Sequence, residues 1–196
     1  MRLYLRNRMS RTHEDIQDEL LVIQCREGND EALETLIARW QPRLGRFAWR
    51  LTGEREAARD VVQDTWLAIV RGIRRLDDPA RFRAWAYRIV SNKCADWIRR
   101  RAAQRSATQD MGNAAAPSSM DAVSATESSG EVVRLREALK ELPDQQRAIL
   151  SLHYLDGMGL AEIAEVIKVP VGTVKSRLHH ARNRLKETLD LQAGFA

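Results

Sequence analysis

The chain has 196 residues, 44% of them hydrophobic, enough for one ordinary domain or two small ones with packed cores. A formal charge of +5 and a pI of about 9.6 favour an anionic partner. Two cysteines, Cys25 and Cys94, and four histidines without ligand spacing exclude a disulfide framework and suggest neither metal nor cofactor, and no apolar run approaches the roughly 20 residues of a membrane helix.

Residues 1–13 place Arg2, Arg6, Arg8 and Arg11 ahead of an acidic run, HEDIQDE, so they read as a disordered arm rather than a signal segment. Met9 is a second candidate start, and a cytoplasmic protein is expected. Residues 14–105 read as one domain of four helices. The first, 14–27, is short and amphipathic. The second, 30–52, repeats Leu33, Leu36, Ile37, Trp40, Leu44, Phe47, Ala48 and Leu51 at helical spacing, and Pro42 should kink or divide it. The third, 54–75, carries Ala58, Val61, Val62, Ile69, Val70 and Ile73 inward. In "DDPARF", Asp78 is an N-cap and Pro79 the first helical residue of a fourth helix that runs to about Arg101.

Residues 106–130, SATQDMGNAAAPSSMDAVSATESSG, hold almost no large apolar side chain and read as a flexible linker. Residues 131–190 form a second helical domain. Pro143 ends one helix and starts another, which stops near Gly157. "GLAEIAEVIKVPVGTVKSRL" then reads as helix, tight turn, helix, with Ala161, Ile163, Ala164, Ile167 and Val169 inward. Lys168 occupies a turn position that favours glycine. Residues 191–196 are a tail. No alternation argues for a sheet, so the fold class is all-α.

The charge is concentrated. Arg71 to Arg105 hold eleven Lys or Arg against three acids, and Lys168 to Lys186 hold six against none. In the third helix Asp60, Asp64, Leu67 and Arg71, with Gln63 beside them, form a stripe opposite the apolar side. In the fourth, Phe82, Ala86, Ile89, Val90 and Trp97 can pack inward. Arg81, Trp85, Arg88, Asn92, Asp96 and Arg99 then share the other face, a mixture of cation, ring and amide suited to single-stranded DNA. Trp85 could equally be core. In the last helix Val174, Leu178, Ala181 and Leu185 point inward beneath a basic outer face.

Several segments together resemble the extracytoplasmic-function (ECF) subfamily of bacterial RNA polymerase sigma factors. ARDVVQDTWL resembles their region 2.2, FRAWAYRIVSNKCADWIRRR their regions 2.3 and 2.4, ELPDQQRAILSLHYLDGMGLAEIA the start of region 4, and VPVGTVKSRLHHAR its recognition helix. The resemblance covers roughly residues 20–104 and 131–188. It implies a sigma factor that binds core RNA polymerase through the β′ clamp helices and the β flap, recognises and melts promoter DNA, and can be held by an anti-sigma factor. The stripe of Asp60, Gln63, Asp64, Leu67 and Arg71 would dock on the clamp helices. Arg81, Trp85, Arg88, Asn92, Asp96 and Arg99 would bind the −10 element, with Asn92 at a position that lines the pocket for an extruded base.

Lys175, Ser176, His179 and His180 match base-contacting positions for the −35 element, while Thr173, Arg177 and Arg182 are better placed for phosphates. Lys175 could read guanine, and either histidine could donate or accept. The linker's three acids, Asp110, Asp121 and Glu127, leave two readings: a plain tether, or a segment on the polymerase's RNA path. The main rival is an ordinary helix-turn-helix regulator that acts without polymerase docking; an enzyme is disfavoured, because the acids form no catalytic or metal cluster.

Overall fold

The computed structural model describes residues 12–109 and 130–193, and within them every regular element is helical. The first unit comprises α1 (His13–Arg26), α2 (Asp30–Thr52), α3 (Arg55–Gly72) and α4 (Phe82–Gln109). The second comprises α5 (Gly130–Lys140), α6 (Asp144–Leu150), α7 (Leu160–Ile167) and α8 (Val171–Ala193).

Residues 1–11 of the expected arm lie outside the described residues, but Thr12 and His13 do not belong to an arm. Thr12 caps α1 reciprocally: its hydroxyl accepts from the Asp15 amide at 3.2 Å, and the Asp15 carboxylate accepts from the Thr12 amide at 2.9 Å. Helix α2 continues through Pro42 without division. The proline is exposed, as is Ala38, whose carbonyl loses its partner, so that carbonyl lies on the solvent side while Leu36, Trp40, Leu44 and Phe47 remain buried. Asp78 caps the turn Pro79–Arg81 as expected, accepting from the Ala80 amide at 3.0 Å.

Helix α4 is longer than its pattern suggests, reaching Gln109 rather than Arg101. Ala102, Ala103, Gln104 and Arg105 are strong helix formers and carry the helix into the expected linker. The rest of that linker, 110–129, lies outside the described residues. Helix α8 likewise takes in residues 191–193 of the expected tail, and 194–196 lie outside the description.

The core of the first unit is aromatic. Trp40 meets Phe82 edge-on at 5.3 Å and Phe47 meets Tyr87 at 5.2 Å, amid buried Leu36, Leu44 and Ile69. Each such pair adds about 0.5–1.5 kcal/mol beyond its area. Two inward assignments fail: Val70 and Ala161 are exposed, while Tyr87 and Val166 are buried in their helices. In the second unit Ala138, Leu142, Ile149, Leu152, Met158 and Ile163 pack against Val174, Leu178 and Ala181 of α8.

The two units are in direct contact, α4 against α7 and α2 against α6. A π-helical turn, Ser151–Leu155, delivers Asp156 to the seam between them. There its carboxylate accepts from Arg50 at 2.5 Å and from the Tyr87 hydroxyl at 2.9 Å, and its carbonyl accepts from Arg83.

The turn between α7 and α8 is left-handed at Lys168, with φ 56° and ψ 48°. That conformation costs an L-residue about 1–2 kcal/mol, against about 0.5–1 kcal/mol for the extra chain entropy a glycine loses on folding. Lys168→Gly should therefore stabilise the chain by up to about 1 kcal/mol. The shift of the urea midpoint at constant slope measures it; a lowered midpoint would mean that the lysine side chain contributes more than its backbone costs.

Candidate polymerase and nucleic-acid interfaces

Helix α3 buries Ala58, Val61, Val62, Thr65, Trp66 and Ile69. The buried Thr65 hydroxyl is satisfied within the helix, donating to the Val61 carbonyl at 2.7 Å. This fixes the helix's rotation and leaves Asp60, Gln63, Asp64, Leu67 and Arg71 all exposed on the other side. Val70, expected inward, joins Leu67 as an exposed apolar neighbour, so the face offers carboxylates around a small apolar patch. Lys93 of α4 lies 3.6 Å from Asp64, a long and partly exposed pair that holds the carboxylate only loosely.

On α4, the buried Phe82, Ala86, Tyr87, Val90 and Cys94 define the inner face. Cys94 is wholly buried, and burial pushes its thiol up to about 12. Arg81, Asn92, Asp96 and Arg99 are exposed, whereas Trp85 and Arg88 are half-buried. Trp85 lies with one side against Phe82 and the rest at the surface. Its seat is Gly72, the last residue of α3: a Cβ there would stand 2.9 Å from the indole. Asp96 and Arg99 pair with each other one turn apart.

The six residues do not form one open strip. From Arg81 to Arg99 the chain runs about 27 Å; Arg81 at one end and Asn92, Asp96 and Arg99 at the other are exposed, with Trp85 and Arg88 half-buried between them. At the start, Arg81 pairs with Glu165 of α7 at 3.1 Å and Arg83 with Glu162 at 3.3 Å. Burial pushes the Glu162 carboxyl up against the opposing pull of Arg83. Arg83, absent from the expected set, has no periodic signal of its own; its partners lie more than 70 residues away. Between α4 and α7 a cavity of about 360 Å³ is lined in part by Trp85, Arg88, Glu165 and Lys168.

Helix α8 behaves as its pattern suggests. Val174, Leu178 and Ala181 are buried and Leu185 is partly so. Lys175, Ser176, His179, His180 and Arg182 are exposed, and Thr173 and Arg177 are half-buried at the flank. His179 is oriented by a 3.2 Å contact between its Nε2 and the Asn183 amide. Lys175, Arg177 and Arg182 have no ion-pair partner among the described residues, so their charge is available to an anion.

A helical unit with an exposed acid-and-leucine stripe and a basic aromatic-bearing helix, followed by a helix-turn-helix, is the architecture with which the comparisons agree. The Sigma-70 region 2 family model matches residues 36–104, and the Sigma-70 region 4 model matches residues 133–185. The ECF RNA polymerase sigma factor SigW of Bacillus subtilis is 27% identical over 179 residues, covering 85% of this chain and 93% of its own. The solved structure of CnrH, in complex with the cytosolic domain of CnrY, superposes with a TM-score of 0.67 at 30% identity, over 89% of this chain and 98% of that one. The sigma factor RpoE of Bartonella quintana, solved with the anti-sigma factor NepR, gives a TM-score of 0.68 at 25% identity, over 81% and 96%. The chain belongs to the sigma-70 family, in its extracytoplasmic-function branch. It is a sigma factor, a regulatory DNA-binding subunit that binds core RNA polymerase and directs promoter recognition, melting and transcription initiation; the reading as a free-standing helix-turn-helix regulator falls.

The contact at Gly72 yields a test. Gly72→Ala should cost about 1–3 kcal/mol by overpacking, and most of that cost should vanish in a Trp85→Ala background, where the indole is gone. Urea unfolding of the two single variants and the double variant measures the coupling; additive costs would show that the indole is not what the new methyl meets.

Proposed function

We propose that the three exposed faces divide the work of initiation among them. The α3 stripe docks on the β′ clamp helices. Its carboxylates suit a basic partner surface, and Leu67 with Val70 supplies the apolar centre that such contacts need. The α4 face from Arg81 to Arg99 takes the unpaired −10 strand, with guanidinium groups for phosphate, the half-exposed Trp85 ring for stacking and Asn92 for an extruded base. The outer face of α8 enters the major groove of the −35 element. There Lys175, Ser176, His179 and His180 meet base edges, and Thr173, Arg177 and Arg182 meet phosphates.

In this reading residues 14–105 and 131–190 are the two working domains, the second also touching the β flap, and the protein acts in the cytoplasm. No helix among the described residues is long and apolar enough to cross a membrane. An anti-sigma factor is a further partner, because the RpoE relative is solved bound to one. The observation that carries the reading is the unpaired basic face of α8, on the same chain as an exposed acid-and-leucine stripe.

Reversing two charges tests the docking face. Asp60→Lys with Asp64→Lys should weaken core polymerase binding about tenfold or more, since like charges across an interface cost several kcal/mol. Exposed-face changes of this kind cost the fold little. Affinity is read by fluorescence anisotropy of labelled sigma factor titrated with core enzyme, and full affinity in the reversed protein would sink the assignment.

On α8, Lys175→Ala should change base preference at one −35 position by about 1–3 kcal/mol. Arg182→Ala should weaken all promoters alike and flatten the salt dependence, because phosphate contacts act through counterion release. Transcription from a randomised −35 library at two salt concentrations separates them. Unchanged preference for Lys175→Ala would mean that the helix enters the groove with a different rotation.

A further inference from the structure

The ends of α1 and α3 gather arginines that no acid holds. Helix α3 runs on into the short helical turn Ile73–Arg75, where Arg74 and Arg75 are exposed, and Arg26 is exposed in the last turn of α1. The two ends adjoin. Arg74 Nη2 would lie 3.6 Å from a Cβ placed on Gly28, the residue that turns the chain out of α1 with φ 90°.

The lack of partners sets these arginines apart. Arg39, Arg43, Arg50, Arg83 and Arg101 of the same unit all meet carboxylates. Glu27 and Asp77 stand beside the three arginines in the chain and are exposed. Yet none of the five forms an ion pair among the described residues. A cation at the C-terminal end of a helix complements its dipole, which is reason enough for Arg26 on α1 and Arg71 on α3. Arg74 and Arg75 are in excess of that need. They follow Arg71 by three and four positions, a spacing at which like charges repel unless an anion lies among them.

The strip is continuous with the α4 face. Arg75 and Gly72 border the same cavity as Trp85 and Arg88, and Trp85 rests on Gly72 at the end of α3. From its other end, at Gln109, α4 leads through residues 110–129 to the unit that carries the −35 helix. The strip lies at the opposite end, on the side of the transcription start.

We propose that Arg26, Arg74 and Arg75 form a second phosphate-binding track. It takes the sugar-phosphate backbone of the unpaired strand after that strand has left the −10 face beside Trp85, on the way to the start site. This rests on the assignment of α4 to the −10 strand. Guanidinium groups on phosphates fix position and carry no sequence information, so the track lengthens the bound strand whatever its sequence.

The test uses holoenzyme and two promoter templates, each duplex upstream and unpaired from the −10 element onward. In one the non-template strand ends with the −10 element. In the other it continues for about ten nucleotides of mixed sequence, within the length that a single-strand site covers. The sigma variants are Arg26→Gln with Arg74→Gln and Arg75→Gln, the same three positions changed to Lys, and Arg88→Ala. Fluorescence anisotropy of the labelled template gives affinity at several salt concentrations. Core polymerase affinity is measured separately, and circular dichroism shows that each variant is folded.

On the long strand the Gln variant should bind about tenfold or more weakly than wild type. The slope of log K against log salt should fall by about 2, from three contacts at about 0.7 each. On the short strand it should match wild type. The Lys variant should keep most of the slope, because an ammonium also meets a phosphate. An unchanged slope on the long strand overturns the track. An equal loss on both strands overturns it too, since the arginines then belong to the −10 site itself. So does a loss of core polymerase affinity, which makes the strip a protein-docking surface. Arg88→Ala should weaken both templates. If it weakens neither, the α4 assignment falls and the track's continuity with it. If it weakens both while the Gln variant weakens neither, the track alone falls.

Discussion

Tyr87 is the point on which the arrangement turns. Its ring is buried edge-on against Phe47 and Trp40, so it is part of the aromatic core that fixes α2 against α4. Its hydroxyl leaves that core and donates to Asp156. Burial and the neighbouring carboxylate push the phenol well above its ordinary range, which keeps the hydroxyl a donor to Asp156. One side chain thereby sets two things. It pins the rotation of α4, which directs Trp85 and Arg88 outward, and it offers the second unit a fixed place to hold.

The stripes of α3 and α8 are legible in the sequence because each is a solvent face opposite a regular apolar one, and 3.6-residue periodicity decides both. The proposed −10 face is legible only as a list of residues. Nothing periodic tells that Arg81 is held by Glu165, because that contact joins parts of the chain 84 positions apart. The same holds for Asp156, whose partners Arg50 and Tyr87 lie 106 and 69 positions away. Read locally, Asp156 is one more polar residue beside Gly157 at the end of a helix. Val70 is apolar and follows the buried Ile69, but in α3 that single step of about 100° carries it out of the core. The helical reach of α4 past Arg101 was hidden by the change to small and polar residues, whose propensity for helix outweighs their lack of a core face.

The basic residues of α8 and those at the start of α4 differ in what surrounds them. The basic residues of α8 face water, where their charge is hydrated and screened beyond roughly 8–10 Å. Those at the start of α4 face carboxylates of their own chain. Glu162 in particular is kept partly desolvated against Arg83, a position that disfavours its charged form and has no purpose as a solvated helix face.

The chemistry of the seam also sets how it can open. Beside the apolar contact of α2 with α6, the groups that cross it are guanidinium, carboxylate, hydroxyl and carbonyl. When the units part, each charged group regains hydration, which offsets much of the Coulomb energy lost. A wholly apolar seam of the same extent would expose surface with no such return. The aromatic core beneath α4 is made by contacts within the first unit, Trp40 with Phe82 and Phe47 with Tyr87. The polar seam and the aromatic core thus depend on different kinds of contact, ion pairs and hydrogen bonds in one and ring packing in the other.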